Sequence, residues 1–117
     1  MTSTKVFGKI FISYKAIASI ASEAALTSYG VVGLSARNFA ESISQVLTKD
    51  PNRGVVINML ENQVNLDVFI VVEYGTRIKS VAQSVAENIR YKVEKATGLL
   101  VNAVNIHVRG LRISNTD

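Results

Sequence analysis

The 117-residue sequence contains no cysteine and no tryptophan, and it has one proline and one histidine. Without cysteine, disulfide bonds and thiolate metal sites are excluded, which fits a reducing compartment. The apolar run from Val68 to Val72 has the length of a strand, far below the roughly 20 residues of a membrane-spanning helix. Gly8 and Lys9 interrupt the apolar residues near the N-terminus, so no signal-peptide segment is predicted. These absences predict a cytoplasmic protein, with any membrane association made through a partner.

Composition predicts one globular domain spanning residues 1–117. Apolar residues make up 48% of the chain, which is too many for a mostly disordered protein. The formal net charge is +4, because 13 Lys and Arg oppose 9 Asp and Glu. A basic surface attracts phosphates, so an RNA- or DNA-binding module is the alternative function to consider. The basic residues are nevertheless spread along the sequence, and mainly predict solubility.

The first half of the chain predicts a strand, a helix and a second helix. Alternating apolar residues indicate a strand over residues 5–13, and Ser13 suits the N-cap of the helix that follows. Gly30 is predicted to cap that helix at its C-terminal end. The segment from Val31 to Ala36 fits either a short strand or an extended connection. The second helix is predicted from five apolar residues at helical spacing and ends before Asp50-Pro51; they are Phe39, Ala40, Ile43, Val46 and Leu47.

The second half predicts a hairpin, a long helix and a final strand. The hairpin runs from Val55 to Glu61 and from Val64 to Glu73, with its turn at Asn62-Gln63. Thr76 is predicted to cap the third helix. Its apolar stripe comprises Ile78, Val81, Ala82, Val85, Ile89, Val93 and Ala96. Glu87, Arg90 and Glu94 on its outer face have the spacing of ion pairs, and Gly98 ends it. The last strand is predicted from Leu100 to Val108.

The resulting order is β-α-(β)-α-β-β-α-β. This order, with one apolar stripe on each helix, predicts an α+β fold in which helices pack on one mixed sheet.

Three stretches of the sequence together resemble the alkaline-shock-protein family of Gram-positive bacteria. They are Gly8-x-Ile10-x-Ile12-Ser13 with Ile17-x-x-Ile20-Ala21-x-x-Ala24 and Gly30-Val31-Val32-Gly33; Val64-x-Leu66-Asp67-Val68-x-Ile70-Val71-Val72-Glu73-Tyr74-Gly75; and Val93-Glu94-x-x-Thr97-Gly98-Leu99-x-Val101-x-x-Val104-Asn105-Ile106-x-Val108-x-Gly110.

The resemblance implies a non-catalytic cytoplasmic protein that binds other proteins in the envelope stress response and in alkaline tolerance. Some relatives self-associate and are tethered beneath the membrane by a separate anchor protein. The chain is similar to the short members, without the longer charged ends of others. No catalytic residue, cofactor or metal is implied.

Residues that are candidates for chemistry are few. His107 is the only histidine, and by strand parity it lies on the polar face of the last strand. It can meet Asp67 if their strands pair, but a solvated position on the sheet is the favoured interpretation. Asp67 and Glu73 share one strand face, yet six residues of strand separate them by roughly 20 Å. Acid-base catalysis needs two groups held in one cleft, so the sequence predicts no enzyme.

The Gly30-Val31-Val32-Gly33 segment superficially matches the Gly-x-x-Gly loop of KH-type RNA-binding domains. Two valines suit buried structure better than phosphate contacts. Aromatic residues are also scattered rather than paired with basic residues, so no base-stacking surface is evident from the sequence.

The second face of the sheet is the most informative prediction. Phe7 and Phe11 share a strand face with Lys9, while Phe69 and Val71 lie between two acidic residues on another. If the helices cover the opposite face, these side chains form an apolar strip rimmed by charge, and we expect a partner or self-association surface there. Alternatively, the second predicted helix covers this face, and the sheet is buried on both sides.

Overall fold

In the computed structural model, residues 13–35, 47–48, 54–61 and 63–113 are described. Their elements, in chain order, are α1 (Tyr14–Leu26), β1 (Val31–Ser35), β2 (Leu47–Thr48), β3 (Val55–Leu60), β4 (Gln63–Glu73), α2 (Ile78–Thr97) and β5 (Leu100–Arg112). The predicted first strand up to residue 12 and most of the predicted second helix lie outside these ranges.

The described strands form a five-stranded mixed sheet built around β4. Strand β5 runs parallel to β4 along its whole length, from Gln63↔Leu100 to Glu73↔Arg112. Strands β3 and β1 are antiparallel to β4 and pair with its first and last parts. Because β5 occupies one edge of β4, β3 and β1 must lie end to end along the other. Strand β2 pairs antiparallel with β1. The predicted α+β class is confirmed.

The core lies between the sheet and the two described helices. Along β4, alternate side chains face the helices and are fully buried: Val64, Leu66, Val68, Ile70 and Val72. The stripe of α1 meets them with Ile17, Ala21 and Ala24, and α2 contributes Val81, Val85, Ile89 and Val93. The alanines of α1 allow close approach to the sheet. The apolar stripes predicted from helical spacing are confirmed at their centres, while Ile78 and Ala96 at the ends of α2 are exposed.

Polar side chains fix both helices to their neighbours. Asn88 of α2 donates from Nδ2 to the Ala24 carbonyl at 3.0 Å. Arg90 donates to the Val101 carbonyl at 2.6 Å, and Glu94 accepts from the Val101 amide at 3.0 Å. The predicted ion-pair spacing on α2 therefore serves another purpose, since Arg90 and Glu94 hold the first residues of β5.

Several predicted helix ends and turns agree with the structure. The Ser13 hydroxyl accepts from the Ala16 amide at 3.0 Å and caps α1. Gly98 ends α2 with φ +77°. The β3–β4 hairpin is also present, but its turn lies one residue earlier than predicted, because Leu60 pairs with Gln63 and Glu61 takes φ +54°.

Three local predictions are wrong. Helix α1 ends at Thr27 rather than Gly30, because the Thr27 hydroxyl donates to the Glu23 carbonyl and Ser28 to that of Ala24, which satisfies the last turn. Thr76 does not cap α2: its hydroxyl donates to the Glu73 carbonyl at 2.7 Å, and Arg77 is the N-cap residue.

The third error concerns Leu47, which lies in β2 and not in a helix, because Leu47–Thr48 pairs with Leu34 and Ser35. The last strand also extends beyond Val108 to Arg112.

Gly30 occupies a constrained turn between α1 and β1. Its φ is +88°, and its carbonyl accepts from the Glu73 amide at 2.8 Å. A Cβ atom added there would lie 2.8 Å from Cγ2 of Val81, which is buried and on a helix. The β-branched Val81 has one strongly preferred rotamer in a helix, so it cannot easily give way. The segment Gly30 to Gly33 is thus a packed turn and strand, unlike a phosphate-binding loop.

Replacing Gly30 by alanine tests this packing. Gly75 is the matched control, because its φ is +97° and an added Cβ would meet nothing within 4 Å. We expect Gly75→Ala to lower the free energy of unfolding by about 1 kcal/mol through backbone strain alone. Gly30→Ala should lower it by about 3 kcal/mol, since overpacking adds to the strain. Urea unfolding followed by circular dichroism measures both. Equal losses would contradict a tight contact with Val81.

Candidate functional site

Two neighbouring strands place a row of polar side chains on the sheet face opposite the helices. The register aligns Asp67 with Asn105 and Phe69 with His107. Since successive strand residues alternate between faces, these residues share the face that the core does not use. We call this row the polar strip; it comprises Asn65, Asp67, Asn102, Asn105, His107 and Arg109, with Phe69 beneath.

Asp67 is the centre of hydrogen bonding in the polar strip. His107 Nε2 lies 2.9 Å from Asp67 Oδ1, and Asn105 Nδ2 donates to the same oxygen at 3.2 Å. The His107 and Asp67 side chains are 42% and 34% exposed. The contact between His107 and Asp67 that the sequence allowed is therefore present, and both side chains remain partly exposed to solvent.

An aromatic and a basic side chain are layered over Phe69. The rings of Phe69 and His107 are stacked, with centroids 4.6 Å apart and planes 16° from parallel. The Arg109 guanidinium carbon lies 5.0 Å from the Phe69 ring centroid, which is cation–π distance. Phe69 of β4 thus forms one cluster with His107 and Arg109, which lie two residues apart on β5.

Two irregularities in β5 shape the ends of the polar strip. The register with β4 shifts between Val64 and Asn65 and again between Ile70 and Val71. The extra residues on β5 are Asn102 and Arg109, so each is a bulge position, where a strand commonly redirects a side chain. Asn102 Nδ2 reaches Asn65 Oδ1 at 3.0 Å, and Arg109 reaches Phe69.

The residues predicted to form a partner surface divide into two groups. Phe69 and Val71 lie on the face assigned to them by parity, but they are only 8% and 1% exposed. The side chains that reach solvent around Phe69 are therefore polar: Asp67, His107 and Arg109. Phe7, Lys9 and Phe11 lie outside the described residues.

The arrangement offers hydrogen-bond donors and acceptors rather than a cluster of reactive groups. Within the ranges the structure describes, no three His, Asp or Glu side chains gather where they could hold a metal ion. Asp67 and Glu73 lie at opposite ends of one strand segment, as predicted. Asp67 is already bound by His107 and Asn105.

Parity alone placed Asn105, His107 and Arg109 on the polar face of the last strand and Asp67 on the Phe69 face of its own strand, but it did not bring the two faces together. That step required the register of β5 on β4. The pairing of Phe69 with basic and aromatic neighbours was missed for the same reason, since those neighbours come from another strand.

Residues 2–113 match the sequence model of the alkaline-shock-protein family, whose description gives a cell envelope-related function. The chain belongs to this family. The predicted resemblance to the alkaline-shock proteins is thereby confirmed.

Relatives align over most of their length with this alkaline-shock-family chain. The uncharacterized protein YloU of Bacillus subtilis is 38% identical over 111 residues, covering 93% of this chain and 92% of YloU. The uncharacterized protein YqhY of the same organism is 35% identical and covers 90% and 78% of the two chains. The uncharacterized protein Spy1614 of Streptococcus pyogenes is 28% identical, covering 91% and 89%.

Solved structures with a similar fold come from MamM CTD. The copper form superposes with a TM-score of 0.54 at 14% identity, covering 89% of this chain and 92% of that one. The zinc form of the D249N variant gives a TM-score of 0.52, also at 14% identity, covering 86% and 89%. At this identity the likeness concerns the fold alone.

Neither α1 nor α2 is both long and apolar enough to cross a bilayer.

A double-mutant cycle tests the link at the centre of the polar strip. We expect Asp67→Ala and His107→Ala to show a coupling of about 0.5–1 kcal/mol in the free energy of unfolding, because a partly exposed hydrogen bond between polar side chains contributes little. Chemical denaturation of the four proteins measures it. Glu87→Ala, on the far side of the sheet, combined with His107→Ala is the control and should be additive. A coupling no larger than the control's would mean that the hydrogen bond contributes nothing in solution.

Proposed function

We propose that this chain is a non-catalytic protein-binding or scaffolding domain at the cell envelope, and that the polar strip is a surface that contacts its partner. The observation that carries the proposal is the mutual fixation of the strip's side chains. Asp67, His107 and Asn105 are joined by hydrogen bonds, and Phe69, His107 and Arg109 are layered on one another.

Fixed side chains favour binding because less conformational entropy is lost when a partner docks. Immobilising a flexible side chain at an interface costs about 0.5–1.5 kcal/mol. Arg109 and His107 are already held against Phe69, and Asn105 against Asp67. Arginine is among the residues that most often dominate binding energy at protein interfaces. An ordered strip of side chains on a sheet face suits a protein surface better than a small molecule, which requires a concave site.

The cellular role is inferred from the family's envelope-related function. We propose that the domain acts in the envelope stress response and in alkaline tolerance, in the cytoplasm and held near the membrane by a partner protein. Self-association remains part of the proposal, on the sheet face that carries Phe69 and Val71. Since Phe69 and Val71 are buried, their substitution would disturb folding, and exposed neighbours give the cleaner test.

His107→Ala/Arg109→Ala removes the exposed top of the polar strip. We expect the tagged variant to capture at least about tenfold less partner from the native host than the tagged wild-type protein does. The reason is that truncating a central interface residue costs about 2 kcal/mol or more of binding free energy. Quantitative mass spectrometry of membrane and soluble fractions measures the loss, and analytical ultracentrifugation of the purified proteins measures self-association.

The matched control is Glu87→Ala/Lys92→Ala, which truncates two exposed polar side chains on α2. It should retain both the captured partner and the oligomeric state. If the strip variant folds, as judged by circular dichroism, and retains its partner and oligomer like the control, the polar strip is not the binding surface.

A second candidate function is nucleic-acid binding, and one observation favours it. Phe69, His107 and Arg109 form the aromatic and basic cluster that was not evident from the sequence. Stacking of a base on an aromatic side chain contributes about 1–3 kcal/mol. Asp67 in the middle of the strip opposes this function, because its carboxylate repels phosphates.

Fluorescence anisotropy with mixed single-stranded RNA and DNA decides between the candidates. If nucleic acid is the ligand, binding should weaken steeply as salt rises, since phosphate contacts release counterions. His107→Ala/Arg109→Ala should also weaken binding more than Glu87→Ala/Lys92→Ala. Absence of salt-sensitive binding would remove this candidate.

A further inference from the structure

One end of the sheet carries a group of exposed apolar side chains that the polar strip does not include. We call it the apolar end; it comprises Tyr29, Tyr74, Ile78, Leu111 and Ile113. Tyr29 is 83% exposed, the highest value among the large apolar residues of the described chain. Isolated exposed apolar residues are normal, but a group of them marks an interaction site.

Backbone hydrogen bonds place the segments that carry these residues side by side. The Glu73 amide donates to the Gly30 carbonyl at 2.8 Å, which places the Tyr29 turn beside the end of β4. The Tyr74 amide donates to the Arg112 carbonyl at 2.8 Å, which places the end of β5 on the other side. Adjacent strands lie about 4.8 Å apart, so the surface from Tyr29 to Ile113 is about 10 Å wide at the backbone. Ile78 adjoins it at the start of α2.

Basic side chains accompany the apolar end. Arg77 and Lys79 flank Ile78, and Arg112 lies between Leu111 and Ile113; all three are exposed. Glu73 adjoins them but is half-buried. Tyrosine and aliphatic side chains beside Lys and Arg are the combination found where proteins rest at the interface of a bilayer.

We propose that the apolar end docks on the surface of a bilayer rich in anionic phospholipids. Tyr29, Tyr74 and Ile113 would enter the headgroup region, while Arg77 and Lys79 contact lipid phosphates. This contact requires no membrane-spanning segment. It uses a different surface from the polar strip and goes beyond the proposed protein-binding function, so the two can act together.

Charge favours a lipid surface over a second copy of the chain. In a two-fold dimer through the apolar end, the same patch of both copies would meet. Arg77 and Lys79 would then approach their own counterparts, and like charges oppose such a contact. An anionic bilayer instead complements them, and each Lys or Arg near such a surface strengthens binding about fivefold.

Vesicle sedimentation tests the proposal with the full chain. The probes are sucrose-loaded vesicles of pure phosphatidylcholine and of an equimolar mixture of phosphatidylcholine and phosphatidylglycerol. We expect the wild-type protein to sediment with the anionic vesicles and much less with the neutral ones. Equal partitioning to both, or no sedimentation with either, would overturn the proposal; the latter would leave the apolar end to a protein partner.

Two pairs of variants separate the apolar and electrostatic contributions. Tyr29→Ser/Ile113→Ser should weaken partitioning about tenfold or more, because apolar area at the interface is lost. Its control is Leu60→Ser/Leu100→Ser, which removes exposed apolar side chains at the opposite end of the sheet and should bind normally.

Arg77→Gln/Lys79→Gln should weaken binding about 25-fold, fivefold for each charge. Its control, Lys92→Gln/Lys95→Gln, makes the same change in net charge near the other end of α2 and should retain more binding. Circular dichroism verifies folding of every variant. If the folded apolar-end variants bind like the wild type, or each control loses as much as its partner variant, the apolar end is not the lipid-binding surface.

Discussion

The pairing of β4 on both of its edges is the constraint on which the rest of this structure depends. Strand β5 follows one edge over the full length of β4, while β3 and β1 divide the other edge between them. Alternate side chains of β4 are fully buried against the helices. The same strand therefore supplies the centre of the core on one face and, through Asp67 and Phe69, the centre of the polar strip on the other.

Helix α2 helps the sheet to fix the position of β5. Arg90 and Glu94 bind the carbonyl and amide of Val101 at the start of β5. This attachment lies one residue before the first register shift, at Asn102, near the start of the parallel pairing. The stacking of His107 on Phe69 lies further along the same register. The arrangement of the polar strip is thus determined partly by charged residues on the opposite side of the sheet.

Local patterns were sufficient to predict most elements, but contacts between elements were not predictable in the same way. The stripes of α1 and α2 follow from helical spacing, and Ser13 and Gly98 follow from the chemistry of helix ends. Prediction failed at Leu47 because a strand pairing with Ser35, which the local pattern does not contain, determines its structure. It failed at Thr76 because the side chain makes a different hydrogen bond from the predicted helix cap. The candidate site shows the same limit more clearly. Strand parity assigned Phe69, Val71 and His107 to the correct face, but it could not give their burial or the parallel register in which Phe69 stacks on His107.

The β3–β4 hairpin differs from the other contacts of β4 in how it forms along the chain. Its strands follow one another directly, so the pairing that begins at Leu60 and Gln63 closes a short loop. By contrast, Val31 pairs with Val72 across β2 and β3, and Gln63 pairs with Leu100 across the whole of α2. Closing a longer loop costs more entropy and contributes to slower folding. The hairpin is therefore the natural folding nucleus, with β1 and β5 pairing afterwards. In hydrogen exchange, the amides of β1 should open with a smaller free energy than those of the hairpin.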